Sequence, residues 1–193
     1  PYLVGASIFY SFRGSSTNYY FPLDFTVGGA VASFGRRLEW PDDFFRVMWS
    51  AKYMQKEYDG SQEDIDNYIG GLQKTRGISI SQVLSRDSRN RAEFPTNGST
   101  FTLENTLSGG FLGGNENFQK HMLTLDWFTP TFSKFVLFNS AKIGVIKTID
   151  VGDDIQSFVP FDERFIMGGN GIPYGNALRG YPDNAIGPQT VSG

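Results

Sequence analysis

Cysteine is absent from this sequence, and histidine occurs once, at His121. The first absence excludes disulfide scaffolds, thiolate zinc sites and cysteine nucleophiles. The second leaves one imidazole for any acid–base chemistry. Charge is sparse, with 19% of residues Asp, Glu, Lys or Arg, below the usual quarter. It nets to −3, so the basic stripe that nucleic-acid binding requires is missing. No apolar run approaches the ~18 residues of a transmembrane helix. That test is blind to membrane β-barrels, whose strands cross in about 9–11 residues each. Pro1 opens the sequence with neither an initiator Met nor a signal-peptide pattern. Aromatic residues are plentiful, at 16% with 18 Phe, which is wrong for a disordered chain. The 193 residues have the length of one domain with a sizeable core.

The dominant hydrophobic period is two. From Phe45 one face reads Phe45, Val47, Trp49, Ala51, Tyr53, and the other Arg46, Met48, Ser50, Lys52, Met54, Lys56. Phe101, Leu103 and Leu107 alternate with Thr100, Thr102, Glu104, Thr106 and Ser108. Ile78, Ile80 and Leu84 alternate with Ser79, Ser81 and Ser85. The pattern predicts seven strands, at 2–12, 25–36, 44–57, 76–86, 99–109, 120–129 and 134–149. The connections 13–24, 58–75, 110–119 and 150–193 are long and rich in Gly, Asn, Ser and Asp. Those at 37–43 and 130–133 are tight and carry Pro41 and Pro130, with 87–98 intermediate. Long loops at one end and short turns at the other is the layout of an outer-membrane barrel.

A soluble antiparallel sandwich also alternates, with one face in its core and one in water. Three features favour the barrel. Several strands exceed the five or six residues common in globular proteins. The polar faces are Ser-, Thr- and Gly-rich with few charges. Aromatics gather near strand ends (Tyr19, Tyr20, Phe21; Trp40; Phe44, Phe45; Trp127, Phe128), where interfacial girdles sit. Bacterial single-chain barrels use even strand numbers from eight upward, and an open edge in lipid leaves backbone groups unsatisfied. The expectation is therefore a piece of a larger antiparallel transmembrane barrel, with strands 1–149 followed by a long loop, 150–193.

That loop mixes apolar anchors (Phe158, Phe161, Phe165, Ile166, Met167) with many glycines and an isolated Arg179 beside Tyr181. Structureless connections of this length are usually functional or disordered, and disordered ones seldom carry so many anchors. The reading is a loop folded back into the polar barrel interior, with Arg179 offering its planar guanidinium to an inward partner.

Phe165-Ile166-Met167-Gly168-Gly169, followed by Leu178-Arg179-Gly180-Tyr181, resembles the FxxGG…(V/L)RG(F/Y) signature of the BamA-type outer-membrane insertase superfamily. Arg86-Asp87-Ser88-Arg89, with Phe94-Pro95-Thr96-Asn97-Gly98, resembles that superfamily's RDxRxxxxFPTxG turn. Pro160-Phe161 resembles the PF…ERF start of its inward loop, and Leu38-Glu39-Trp40-Pro41-Asp42-Asp43 a further hairpin turn. Leu178 and Tyr181 stand where Val and Phe are commoner. The resemblance implies a 16-stranded barrel fused to periplasmic POTRA domains in the bacterial outer membrane. This chain would supply about seven middle strands and part of the loop between the eleventh and twelfth. It implies that the loop runs through the lumen and that Arg179 meets acidic residues on later strands. It further implies lateral opening between first and last strands, neither of them here, with strand templating of nascent outer-membrane β-barrel clients. The implied partners are accessory assembly lipoproteins and outer-membrane lipid; no cofactor, metal or catalytic residue is implied. A sibling two-partner secretion transporter and a plain diffusion porin are the alternatives.

Other candidates read more plainly. Alternation places Thr124 and Asp126 on the face opposite His121, which makes His121 a surface or girdle residue rather than a general base. Gly169–Gly175 reads G-x-G-x-x-x-G with Pro173 inside and fits neither the dinucleotide fingerprint nor the P-loop. The acidic groups Glu57, Asp59, Glu63, Asp64, Asp66 and Asp150, Asp153, Asp154 lack EF-hand spacing and read as solvated loop charge, with divalent bridging to lipid headgroups as the alternative. Arg46, Lys52, Lys56 and Arg36 are read as a basic lumen wall, either ordinary polar lining or a surface that attracts the inward loop. Arg86, Asp87, Arg89 and Arg91 are read as a turn held by local ion pairs, or as a docking surface for periplasmic domains.

Overall fold

A computed structural model of the chain describes residues 2–14, 23–152, 159–169, 177–182 and 185–187. Its framework is one antiparallel sheet of seven strands in sequence order. These are β1 (Tyr2–Arg13), β2 (Asp24–Arg37), β3 (Phe45–Asp59), β4 (Lys74–Asp87), β5 (Gly98–Ser108), β6 (Phe118–Pro130) and β7 (Val136–Thr148). Each predicted strand is present, with ends displaced by at most two residues.

The register fixes which residues share a face, because directly paired residues in an antiparallel ladder project to the same side. One rung runs Val4–Phe34–Trp49–Gln82–Asn105–His121–Val145 across all seven strands. It starts three residues from the short-turn end of β2 and finishes three residues from the long-loop end of β7. Rungs that climb along the sheet are the stagger of tilted barrel strands.

The face containing this rung is the apolar one. Ile8 is 89% exposed, and Val4, Tyr10, Ile143 and Val145 are also open. No second layer covers that face among the described residues. A soluble sandwich would have stacked these side chains into a dry core; a membrane barrel gives them hydrocarbon. On β4 the apolar stretch Ile78–Leu84 is bracketed by Arg76 and Arg86, ten residues apart. At about 3.3 Å per residue and a tilt near 40°, that interval spans roughly 25 Å, the height of a barrel's lipid-facing band.

The opposite face carries Lys52, Lys56, Ser79, Ser81, Thr106, Lys120 and Lys142. Neighbours there satisfy one another, as in Ser81 with Thr106 at 2.8 Å and Thr100 donating to Asp126 at 3.1 Å. Arg36 is a correction. It pairs with Val47 and lies over the Tyr2 ring on the outer face, while Arg37, one residue on, pairs with Arg46 on the inner one. Phe128 is another, because it faces inward and stacks on Phe138 at 4.8 Å instead of joining a girdle.

The β3–β4 connection is not the plain loop that composition suggested. It holds α1 (Gln62–Ile69), started by Ser61, whose hydroxyl accepts from the Asp64 amide, and stopped by Gly70 in the left-handed conformation. Ile65 and Ile69 on α1 join Leu23, Tyr58 and Ile166 in a buried cluster, with Phe25 and Leu72 against it. This cluster sits at the long-loop mouth of the sheet, so the helix caps the inner face there.

Candidate functional site

The segment 159–169 returns from β7 and lies along the inner face beneath the α1 cap. Pro160 is fully buried, and a 3-10 turn over Phe161–Glu163 closes with the Glu163 amide donating to the Pro160 carbonyl. This turn points two carboxylates at two wall lysines. Asp162 accepts from Lys56 Nζ at 3.0 and 3.1 Å. Glu163 accepts from Lys120 Nζ at 2.9 Å, and its carbonyl accepts from the same ammonium at 3.0 Å.

Lys56 is 2% exposed and has a second acidic partner, Glu116 Oε1 at 3.3 Å. Glu116 comes from the β5–β6 connection and also accepts from Thr75 Oγ1 at 2.8 Å. The inner wall makes space for it at Gly77, where a Cβ would lie 2.5 Å from Glu116 Oε2. A buried ammonium is tolerable only when paired and hydrogen-bonded, and here β3, the β5–β6 loop and the returning segment together supply the pairing. Burial pushes the Asp162 carboxyl up, but the Lys56 ammonium beside it more than reverses this and holds it below the ordinary carboxylate range.

Beyond the turn, Arg164 donates through Nε to the Val159 carbonyl. The far edge of the Phe165 ring abuts β7 at Gly144, where a Cβ would come within 2.4 Å of Cζ, and Lys120 Nζ stands 5.4 Å from the ring centroid. Ile166 is completely buried in the mouth cluster.

The motif residues follow. Gly168 is buried, and Gly168 and Gly169 both take positive φ, at 148° and 43°. Met167 exchanges backbone hydrogen bonds with Ile186 at 2.7 and 2.9 Å. Gly169 donates to the Tyr181 carbonyl and accepts from the Leu178 amide. The GG and LRGY elements of the sequence are therefore brought together as two limbs of one strap. Leu178 is half-buried; Arg179, Gly180 and Tyr181 are exposed, and no described residue forms an ion pair with Arg179. Residues 170–176, with most of the Gly169–Gly175 stretch, lie outside the described residues, as do Phe158, Asp153 and Asp154.

At the short-turn end, Arg86 Nε donates to Asp42 at 2.8 Å and its guanidinium lies over Phe44 and Phe45. The pair ties the β4–β5 turn to the β2–β3 turn, a reach that local ion pairing did not foresee. Arg89 and Asp87 do pair locally, at 2.8 and 2.9 Å. Asn90 accepts from the Thr96 and Asn97 amides and donates to the Thr96 hydroxyl. That network presents Phe94, 87% exposed at φ 51°, next to Pro95. Gly98, at φ 103°, closes the turn against Ser88.

His121 lies on the outer face, with Thr124 and Asp126 on the other. Its Nδ1 is 2.9 Å from Asn105 Oδ1, and Asn105 Nδ2 donates to Gln82 Oε1 at 3.3 Å.

Sequence reading missed the carboxylates Asp162, Glu163 and Glu116 and the seats at Gly77 and Gly144. Strand alternation puts Lys56 on the lumen wall, where it can attract the loop, but nothing in the sequence picks out its partners.

The family model for the Omp85 superfamily domain matches residues 1–193. The outer membrane protein assembly factor BamA of Nitratidesulfovibrio vulgaris is 30% identical over 131 residues, covering 65% of this chain and 15% of that protein. The crystal structure of BamA from Haemophilus ducreyi lacking POTRA domains 1–3 superposes with a TM-score of 0.74 at 18% identity, over 97% of this chain and 36% of that one. The chain thus spans well under half the length of either relative. With a lipid-facing apolar wall, an antiparallel tilted sheet and an inward strap already in place, this chain belongs to the Omp85 superfamily, as part of a bacterial outer-membrane β-barrel.

Proposed function

We propose that the chain is the middle of the barrel wall of an outer-membrane assembly factor, which folds and inserts client β-barrel proteins by lateral opening and strand templating. In this reading the reaction makes and breaks no covalent bond. Nascent barrel proteins are the clients, and they pair with an exposed strand edge as in other β-augmentation. Accessory lipoproteins and outer-membrane lipid are its partners, and POTRA domains belong to the same polypeptide. The strap 150–193 obstructs the lumen and braces the wall, and Arg179 carries its guanidinium to acidic residues on strands outside this chain. The observation that supports this reading best is the seating of the strap itself. Two wall lysines and the glycine seat at Gly144 hold it across the inner face, which is poor design for an open diffusion pore and good design for a stiff wall whose seam must yield.

Two experiments in the full-length protein test the reading. Deleting residues 160–190 raises single-channel conductance, because the lumen loses its obstruction. Arg179→Ala lowers the yield of heat-modifiable, folded client in proteoliposomes and makes the strap more protease-sensitive, with most strands still formed. Unchanged client folding together with an unchanged strap would sink the assembly role for Arg179. Unchanged conductance on deletion would favour a barrel closed by other means.

A further inference from the structure

We infer that Lys56 is a positioning residue for the strap: its buried ammonium, clamped between Asp162 of the strap and Glu116 of the β5–β6 loop, holds the strap's first limb in the lumen independently of Arg179. The inference goes beyond the assembly reading, because it concerns what holds the strap whatever the barrel handles.

Three observations carry it. First, of the two strap pairs Lys56 has the more buried ammonium, 3% exposed against 17% for Lys120, while the strap carboxylates are similarly open, Asp162 at 33% and Glu163 at 26%. Solvent and salt reach the Lys120 ammonium more readily than that of Lys56, which Glu116 shields from the wall side. Secondly, the clamp joins chain segments far apart, since Asp162 lies 106 residues beyond Lys56. Removing Asp162 leaves Lys56 and Glu116 in place but robs the strap of its contact with the buried ammonium. Removing Lys56 leaves two carboxylates facing each other with no cation between them, a state that buried charge strongly disfavours. Thirdly, the clamp lies next to the mouth cluster. Tyr58, two residues along the same face from Lys56, packs with Ile166, Ile65 and Ile69, so the strap's polar and apolar anchors are neighbours on the wall. Arg179 is on the far limb, exposed, and contributes to neither anchor.

Cysteine chemistry makes this measurable, because the chain has none. In a full-length protein otherwise free of cysteine, Ile166→Cys places a thiol at a position with 0% exposure. Its maleimide labelling rate then reports release of the first limb. In that background Lys56→Met and, separately, Asp162→Asn raise the labelling rate by about tenfold or more, as expected when a buried ammonium and a partly exposed carboxylate lose each other. Arg179→Ala leaves the rate within about threefold. Asp162→Glu, which keeps the carboxylate that faces Lys56, labels severalfold more slowly than Asp162→Asn, which loss of general barrel integrity would not produce. Heat-modifiable gel mobility confirms that each variant retains its barrel. Should Lys56→Met fail to form one, Asp162→Asn outside the strands carries the same comparison. The inference is overturned if Asp162→Asn labels at the parent rate, if Arg179→Ala accelerates labelling as much as it does, or if Asp162→Glu labels as fast as Asp162→Asn. None of these readouts involves client folding, so failure of the assembly reading leaves the result interpretable.

Discussion

Gly144→Ala offers a sharp test of how the strap is seated, because local and tertiary physics predict opposite signs. Glycine weakens a strand relative to alanine, so in an unobstructed wall the change would be neutral or mildly stabilising. Here the added Cβ would sit 2.4 Å from Phe165 Cζ and 2.7 Å from Cε1, far inside contact distance, so the ring must move off the wall. Overpacking of this kind costs about 1–3 kcal/mol. If the ring leaves altogether, the Lys120 contact, worth about 0.5–2 kcal/mol, goes with it. A net loss near 2 kcal/mol in strap docking corresponds to more than a tenfold increase in its open population. The amides of Met167 and Ile186, which bond each other's carbonyls across the strap, report that opening by hydrogen exchange. The double variant with Phe165→Ala completes the cycle: with no ring to displace, Gly144→Ala should then be nearly silent, giving a coupling energy of about 1–3 kcal/mol. Parent-like exchange in Gly144→Ala, or additive effects of the two changes, would refute the seat.

Three further outcomes are expected. Strap protection is pH-dependent in one direction: with the Asp162 carboxyl held below its ordinary value by Lys56, its contribution is complete above the unfolded carboxyl value near 4 and is lost as pH falls through the lower folded value, so hydrogen exchange at Met167 should be flat from pH 7 to 5 apart from intrinsic chemistry and should rise only in stronger acid. His121→Ala should leave client assembly unchanged, and a clear loss in the proteoliposome assay would restore acid–base chemistry to consideration. Arg86→Ala should loosen the short-turn end, read as severalfold faster exchange in the 38–45 and 88–97 turns, since its partly exposed pair with Asp42 is reinforced by two aromatic rings; exchange confined to one of the two turns would show that the pair does not join them.

The sheet was legible from sequence because a strand with lipid on one side and a polar lumen on the other states its period at nearly every residue. Phe45 to Lys56 spells out both faces without help from any other strand. The helix α1 was also written locally, in Ser61 three residues before Asp64 and in Gly70 after Ile69, but the long-loop layout drew attention to composition instead of to capping. The clamp was not legible in this way. Lys56 comes from strand β3 and Glu116 and Asp162 from two separate connections, and only the fold of the β5–β6 loop and the inward return of the strap bring both carboxylates within 3.3 Å of the ammonium. Gly77 and Gly144 read as weak points in their strands, because the groups that need their space, Glu116 and Phe165, lie 39 and 21 residues further along the chain.

The same register resolves what would otherwise be an expensive feature of the lipid-facing wall. Gln82 is four residues from Arg86 and six from Arg76 along β4, which puts it within a few ångströms of the middle of the apolar band. A lone amide there would cost several kcal/mol in unsatisfied hydrogen bonds. The rung that carries Gln82 carries Asn105 and His121 on the next two strands, and the three side chains bond in series at 3.3 and 2.9 Å. Each uses its neighbour in place of water. His121, which as an isolated letter invites a catalytic reading, thereby becomes the end of a polar row that satisfies itself in hydrocarbon. The inner face meets the same requirement with ions, Lys56 between two carboxylates. On both sides of the wall, polar groups withdrawn from water are tolerated because a partner is brought to them, by strand pairing on the outer face and by the β5–β6 loop and the strap on the inner one.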